Sequence, residues 1–270
     1  MAAAPAPSII KPAETVEQVI RALDDIIDWA HTQKSRVGYF AALYRRVTRA
    51  VKQGIDEGKF QNGPLMEKLD VIFANRYLTA FEQFRSGQPP TLSWQLAFRS
   101  AKAWYPLIVQ QLLIGINAHI NLDLGIAAAT ASPGEKLPGL KADFDQINAV
   151  LAGEVGTVEK EMAEVSPLIG LLEKFALRTE TAIINFSMQV ARDSAWSEAV
   201  KLSTTPPEKL QEAIHDLDVK TELFGHLVIS PPLLIKLQLL PIRLFESGNV
   251  RHVIDVLATP AAARATAATA

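Results

Sequence analysis

The chain has 270 residues, 49% hydrophobic and 21% charged, with a formal net charge of −2, which is enough apolar material for a full core and too little net charge for a disordered chain. The absence of cysteine excludes disulfide frameworks, thiolate nucleophiles and cysteine-ligated metal centres. The near-neutral balance, with no Lys/Arg stripe interleaved with aromatics, argues against nucleic acid as a partner.

The opening "MAAAPAPSIIKP" lacks the basic segment and apolar core of a secretory signal, so residues 1–13 read as a flexible tail and the cytoplasm as the default compartment. Helical periodicity then runs on without the two-residue alternation of strands. A first helix is expected from Thr15 to Thr32. Its stripe of Val16, Val19, Ile20, Leu23, Ile26, Ile27 and Ala30 leaves Asp24, Asp25 and Asp28 on the polar side. A second helix spans Arg36 to Glu57 and a third Pro64 to Phe84, stopped by "SGQPP". On the third, Leu65, Met66, Leu69, Phe73, Tyr77, Ala80 and Phe84 share an arc with Asp70 and Arg76.

Ser93 is the expected cap of a short fourth helix. The fifth, from near Pro106, contains the apolar stretch Leu107 to Ala131. It approaches membrane-span length but carries Gln110, Gln111, His119 and Asp123, groups that are costly in lipid, so it reads as the buried central helix of a bundle and no transmembrane segment is expected. Helices over Lys141 to Glu164 and Leu168 to Leu202, the second bent early, follow the Pro/Gly-rich loop at 133–139. "TPPE" from Thr205 matches a capping box fully and "SPPL" from Ser230 in part. Gly248 and Asn249 then stop one helix and cap a last one, ending at Leu257. The expected fold is all-α, a single multi-helix bundle of about ten helices over 14–258, with an Ala-rich disordered tail at 259–270.

"LLIGINAHINLDLGIAAA", Leu112 to Ala129, places four polar groups in an apolar run. At about 100° per residue, His119 and Asp123 share one face and Asn117 and Asn121 the other. In "LRTETAIINFSMQVARDSAW", Glu180 lies within the stripe of Leu177, Ile184, Met188, Ala191 and Ala195, and Arg192 at its edge. Three helices thus carry charge on faces that should be buried. Because an unpaired buried charge is costly, Asp70, Arg76, His119, Asp123, Glu180 and Arg192 are expected to meet one another, an ion or a ligand.

In one version His119 and Asp123, with Glu180 or Asp70, hold a divalent metal, namely iron, manganese or zinc. In a metal-free version His119 is a general acid/base oriented by Asp123. Arg76 and Arg192, with Asn117 and Asn121, then hold a ligand or anion, and Gly115 leaves room for it. The competing reading is a core network in which the arginines neutralise the acids. Two other motifs are weaker. "DDIID" resembles the Asp-rich motif of class I terpene synthases, but it sits on the solvated side with no second magnesium motif. "EAIH", Glu212 to His215, is a single copy of an element that di-iron bundles use in pairs. "FGHLVISPPLLIKLQLLPIRLF", Phe224 to Phe245, reads first as core helices, and otherwise as a wall over an apolar ligand or a peripheral membrane contact.

"FANRYL", "LLIGINAHINLDLGIAA" and "ARDSAW" together resemble segments of an uncharacterised, mainly bacterial family of helical proteins, a domain of unknown function. The resemblance spans Phe40 to Val200, with GINAHINLDLG its most specific part. It implies an all-helical fold and brings no activity or cofactor. The expectation is an enzyme acting on a small hydrophobic molecule through metal-assisted or His/Asp acid–base chemistry. The alternatives are a non-catalytic carrier of an apolar ligand and, less favoured, a terpene-cyclase-like enzyme using Asp24, Asp25 and Asp28.

Overall fold

The computed structural model describes residues 10–171 and 187–259, and of 152–156 and 159 the backbone alone. Among the described residues there are eleven α-helices and no strand. Thr15 caps α1 (Val16–Gln33) by accepting from the Gln18 amide at 3.3 Å. Asn62 caps α3 (Gly63–Ser86) through the Leu65 amide at 3.1 Å, with Pro64 in the first turn and Gly87 closing the helix at φ 78°. Side-chain capping and a left-handed glycine set these boundaries. Between them lies α2 (Gly38–Asp56).

Residues ahead of the first helix are packed on the body. Ile10 and Ala13 are buried, and the Ala13 backbone exchanges two 2.8 Å hydrogen bonds with the Asn75 side chain. The end of the segment read as a loose tail is therefore docked on α3.

The central rod has three parts: α5 (Ile108–Asn117), a π-helical stretch Ala118–Leu124, and α6 (Gly125–Ala131). Its 24 residues are apolar and long enough to cross a membrane, and they are mostly buried here by other helices. On one side α1, α2, α3 and α11 (Val250–Ala258) enclose a core around Leu23, Ile26, Tyr77 and Phe81. On another, α8 (Met188–Thr204) packs along the π-helical stretch and α6. The contact is so close that a Cβ on Gly125 would lie 2.8 Å from the Ala195 carbonyl oxygen. Helix α9 (Pro207–Ile229) lies across α4 (Leu92–Ser100) and α5. Helices α7 (Lys141–Val165) and α10 (Leu233–Phe245) complete the set.

Four local expectations need correction. Of the helix expected over Leu168–Leu202, residues 172–186 lie outside the described residues; the described part is a helix that starts at Met188, because Ser187 is extended and caps it through the Val190 amide. In "TPPE" the helix begins at the second proline. A residue preceding proline is driven out of the helical region, so Pro206 takes the cap position at φ −57°, ψ 143° and Thr205 falls one place too early to cap. In "SPPL" the start falls one place later still, with the second proline, Pro232, at the cap, the helix beginning at Leu233 and no side-chain cap bond. For α4 the cap residue is Thr91 rather than Ser93, and its first amides are held from outside the segment: Asp218 of α9 accepts from the Leu92 and Ser93 amides at 2.6 and 3.0 Å and from the Ser93 hydroxyl at 2.7 Å.

Candidate functional site

Helices α2, α3 and α4 and the π-helical stretch meet around the His119 ring. A π-turn is wider than an α-turn, and such turns recur at functional sites. This one carries His119 and Asp123 on the side facing α3. From α3, Phe73 stacks on His119 with ring centroids 3.6 Å apart, and from α2, Tyr44 meets it edge-on at 4.3 Å. Phe40, Trp94 and Tyr77 close the cage at 5.4, 6.3 and 6.5 Å. The aromatic positions follow helical spacing: Phe40 and Tyr44 are one turn apart on α2, as are Phe73 and Tyr77 on α3.

His119 and Asp123 share a face as expected but have separate partners. The Asp123 carboxylate accepts from Arg76 Nε at 2.6 Å and from Trp94 Nε1 at 2.8 Å. Burial raises the Asp123 pKa against the opposing pull of Arg76 and of both hydrogen bonds. Asp123 does not orient His119: both imidazole nitrogens are buried with no hydrogen-bond partner. Burial, followed by the Arg76 charge, pushes the His119 pKa well below its ordinary value, so the ring is neutral.

Three further buried oxygens lack partners in this region: the Tyr44 and Tyr77 hydroxyls and Oδ2 of Asp70. Asp70 lies one turn before Phe73 on α3, and its charge is the largest electrostatic influence on the Tyr44 hydroxyl. Desolvation, with a smaller contribution from Glu67, lifts the Asp70 pKa to about 7. Burial also raises both tyrosines. A cavity of about 20 Å³ borders the cage, lined in part by Phe40, Tyr77, Trp94 and Gly115, room for about one water molecule. Gly115 does not leave space for a larger guest. A Cβ there would lie 2.7 Å from the Phe40 ring, so the glycine admits Phe40 to the cage.

The other sequence candidates lie elsewhere. Arg192 is buried against α7, donating to Asn148 Oδ1 at 2.8 Å and to the Phe144 carbonyl, with its guanidinium 4.5 Å from the Phe144 ring. Burial brings its pKa down to about 10. It neutralises no acid of the His119 centre. Asn121 donates to Asn117 Oδ1 at 2.8 Å and Asn117 to the Thr221 carbonyl at 2.9 Å, which clamps the rod to α9. Glu180 lies outside the described residues. Among those residues no three His, Asp or Glu side chains come together as a metal site. Asp24 is paired with Arg45 and Arg49, and Asp25 and Asp28 are exposed. Glu212 and His215 are exposed as well.

What the sequence reading missed is Tyr44, Phe40 and Trp94. The i, i+4 aromatic pair in "YFAALYRR" was the available signal. The centre is thus an aromatic cage with unmet polar atoms, framed by an Arg76–Asp123–Trp94 clasp. No curated protein and no solved structure matches the chain. A family model described as "Family of unknown function (DUF5995)" matches residues 16–231, most of the helical body and all of the cage, and the chain belongs to that family.

Proposed function

We propose that the cage is the active site of an enzyme that moves protons on a small, largely apolar molecule. The observation that carries this reading is the five partnerless polar atoms, on His119, Tyr44, Tyr77 and Asp70, around one ring cluster. Each such atom costs free energy when buried without a hydrogen bond, and a bound molecule with a few polar groups would satisfy them. The groups are suited to acid–base work. A neutral imidazole accepts a proton, and a carboxyl with a pKa of about 7 can donate one near neutrality. His119 serves as the base, Asp70 as the acid, and Tyr44 and Tyr77 as hydroxyl donors to the substrate. One proton taken and one given balance without a further reactant. The aromatic walls hold the apolar part, and the rings must part to admit it, since the cavity is only about 20 Å³. Among the described residues no third donor joins His119 and Asp70 or Asp123, and Glu180 lies outside them, so the reading rests on the acid–base version.

The test is incubation of the purified protein with a pool of extracted hydrophobic metabolites, followed by mass spectrometry. A species consumed by the wild type and left intact by Asp70→Asn and His119→Ala, with all three melting cooperatively, supports the enzyme. A species retained unchanged makes the protein a carrier. Neither retention nor turnover of any species reduces the cage to a packed core and ends the proposal.

A further inference from the structure

Among the described residues, ten of the twelve large hydrophobic side chains that stand exposed belong to two short stretches: Trp104 and Tyr105 before α5, and Leu223 to Phe245 on α9 and α10. Helix α10 is apolar nearly all round. Ile235, Leu239 and Ile242 pack inward against Leu107, Ile114 and Val228, whereas Leu233, Leu234, Leu237, Leu244 and Phe245 face outward, each more than half exposed. An ordinary surface helix would carry polar residues there. A groove of about 370 Å³ runs between α10 and the Trp104–Tyr105 corner.

We infer that this face docks onto an anionic lipid bilayer, with α10 lying in the interfacial plane. The charge pattern selects that occupant. Within α10 the charged residues are Lys236 and Arg243, with no acid; Lys236 is exposed with its Nζ 6.0 Å from the Tyr105 centroid, whereas Arg243 is mostly covered, donating to the Trp104 carbonyl and lying 3.9 Å from Glu246. The nearest acid along the chain, Glu246, turns inward to accept from the Ile108 amide at 3.0 Å. On the α9 flank, Glu222 lies 3.5 Å from His226. Tryptophan, tyrosine and lysine bordering exposed leucines form the pattern of a membrane-interface belt, with Lys236 reaching lipid phosphates and Arg243 holding the Trp104 corner in place. Length argues for lying flat: 13 residues rise about 20 Å, short of the roughly 30 Å hydrocarbon core. The 65° bend between α9 and α10, at Pro231 and Pro232, aims α10 away from the α9 axis. This inference does not depend on the chemistry of the cage.

The experiment is flotation of the full chain with phosphatidylcholine vesicles, with and without phosphatidylglycerol, with Trp104 as a depth probe through quenching by brominated acyl chains. Binding is expected to rise several-fold with the anionic lipid and to fall with salt. Leu237→Glu and Leu244→Glu, both at exposed positions, should each weaken partitioning about tenfold or more with unchanged melting, and Lys236→Gln should reduce the preference for phosphatidylglycerol. Val200→Glu, an exposed position off the patch, is the control and should bind as wild type. Failure to float with either vesicle overturns the inference, as does a dimer that Leu237→Glu dissociates.

Discussion

The molecule buries polar groups in two ways. Asp143, Asp218 and Glu246 are buried and saturated: Asp143 accepts from the Gln61 and Asn62 amides at 2.7 and 2.8 Å ahead of α3, Asp218 holds the first amides of α4, and Glu246 takes the Ile108 amide at the start of α5 and the Ser166 hydroxyl. Each carboxylate comes from a distant segment; Asp218 and Glu246 stand in for a local cap by satisfying amides that a helix start leaves open, and Asp143 holds the two amides just ahead of the Asn62-capped α3. The His119 centre is the opposite case, with equal burial and five polar atoms unmet. Burial of charge alone therefore does not mark a functional centre here. What sets the His119 centre apart is that its unmet polar atoms cluster around one ring group.

The largest expected effect tests the buried acids that have partners. Arg46 and Glu161 form an ion pair with both side chains almost fully buried, tying α2 to α7, so Glu161→Ala removes the carboxylate that pairs with the guanidinium and should cost about 3–5 kcal/mol in urea unfolding. Next, Asp218→Ala removes three bonds at the start of α4 and should cost about 2–3 kcal/mol, with hydrogen exchange rising first at the Leu92 and Ser93 amides. If either variant is as stable as wild type, saturation is not what distinguishes these groups.

The Asp70 prediction has the other sign. Its folded pKa is about 7 against an ordinary 3.8, so over that window the folded state keeps a proton the unfolded chain has lost. Its contribution to stability is full below the ordinary carboxylate range, declines as pH rises towards 7, and stays low above it. Asp70→Asn, which cannot ionise, should therefore be the more stable protein at pH 8 by a few kcal/mol, and the gap should close as pH falls to about 4. Paired melting curves across that range check it. A gap independent of pH would mean that Asp70 finds a partner in solution and belongs with the saturated acids.

The sequence made the all-α class and most helix positions legible, because stripes such as Val19–Leu23–Ile26–Ala30, breakers such as "SGQPP" and the Asn249 cap act within a few residues. It also carried the directions of His119 and Asp123, and of Asn117 and Asn121, since one turn of helix fixes them. Convergence between helices was not legible. Arg76 reaches Asp123 across 47 positions, whereas Arg192, equally charged on an equally apolar stripe, turns to Phe144 and Asn148. Periodicity gives an azimuth, and only packing says which neighbour fills it. The long-range caps were invisible for the same reason: nothing local to Leu92 points to Asp218.

The smallest effect separates the two classes most directly. His119→Phe keeps a ring between Phe73 and Tyr44 and deletes two nitrogens that have no partner. Removing an unsatisfied buried polar group while keeping shape is neutral to stabilising, so the variant should gain up to about 1 kcal/mol at neutral pH. The pH dependence supplies a second reading. Burial holds His119 unprotonated, so unfolding takes up a proton below the ordinary histidine range. That contribution is present above pH 6.5 and lost as pH falls below it, and the gain from His119→Phe should grow on the acid side. A His119→Phe protein that is instead less stable by a kcal/mol or more would mean that the imidazole nitrogens are bonded in solution, which would place His119 with Asp218 and Glu246 and leave the cage without its unmet polar centre.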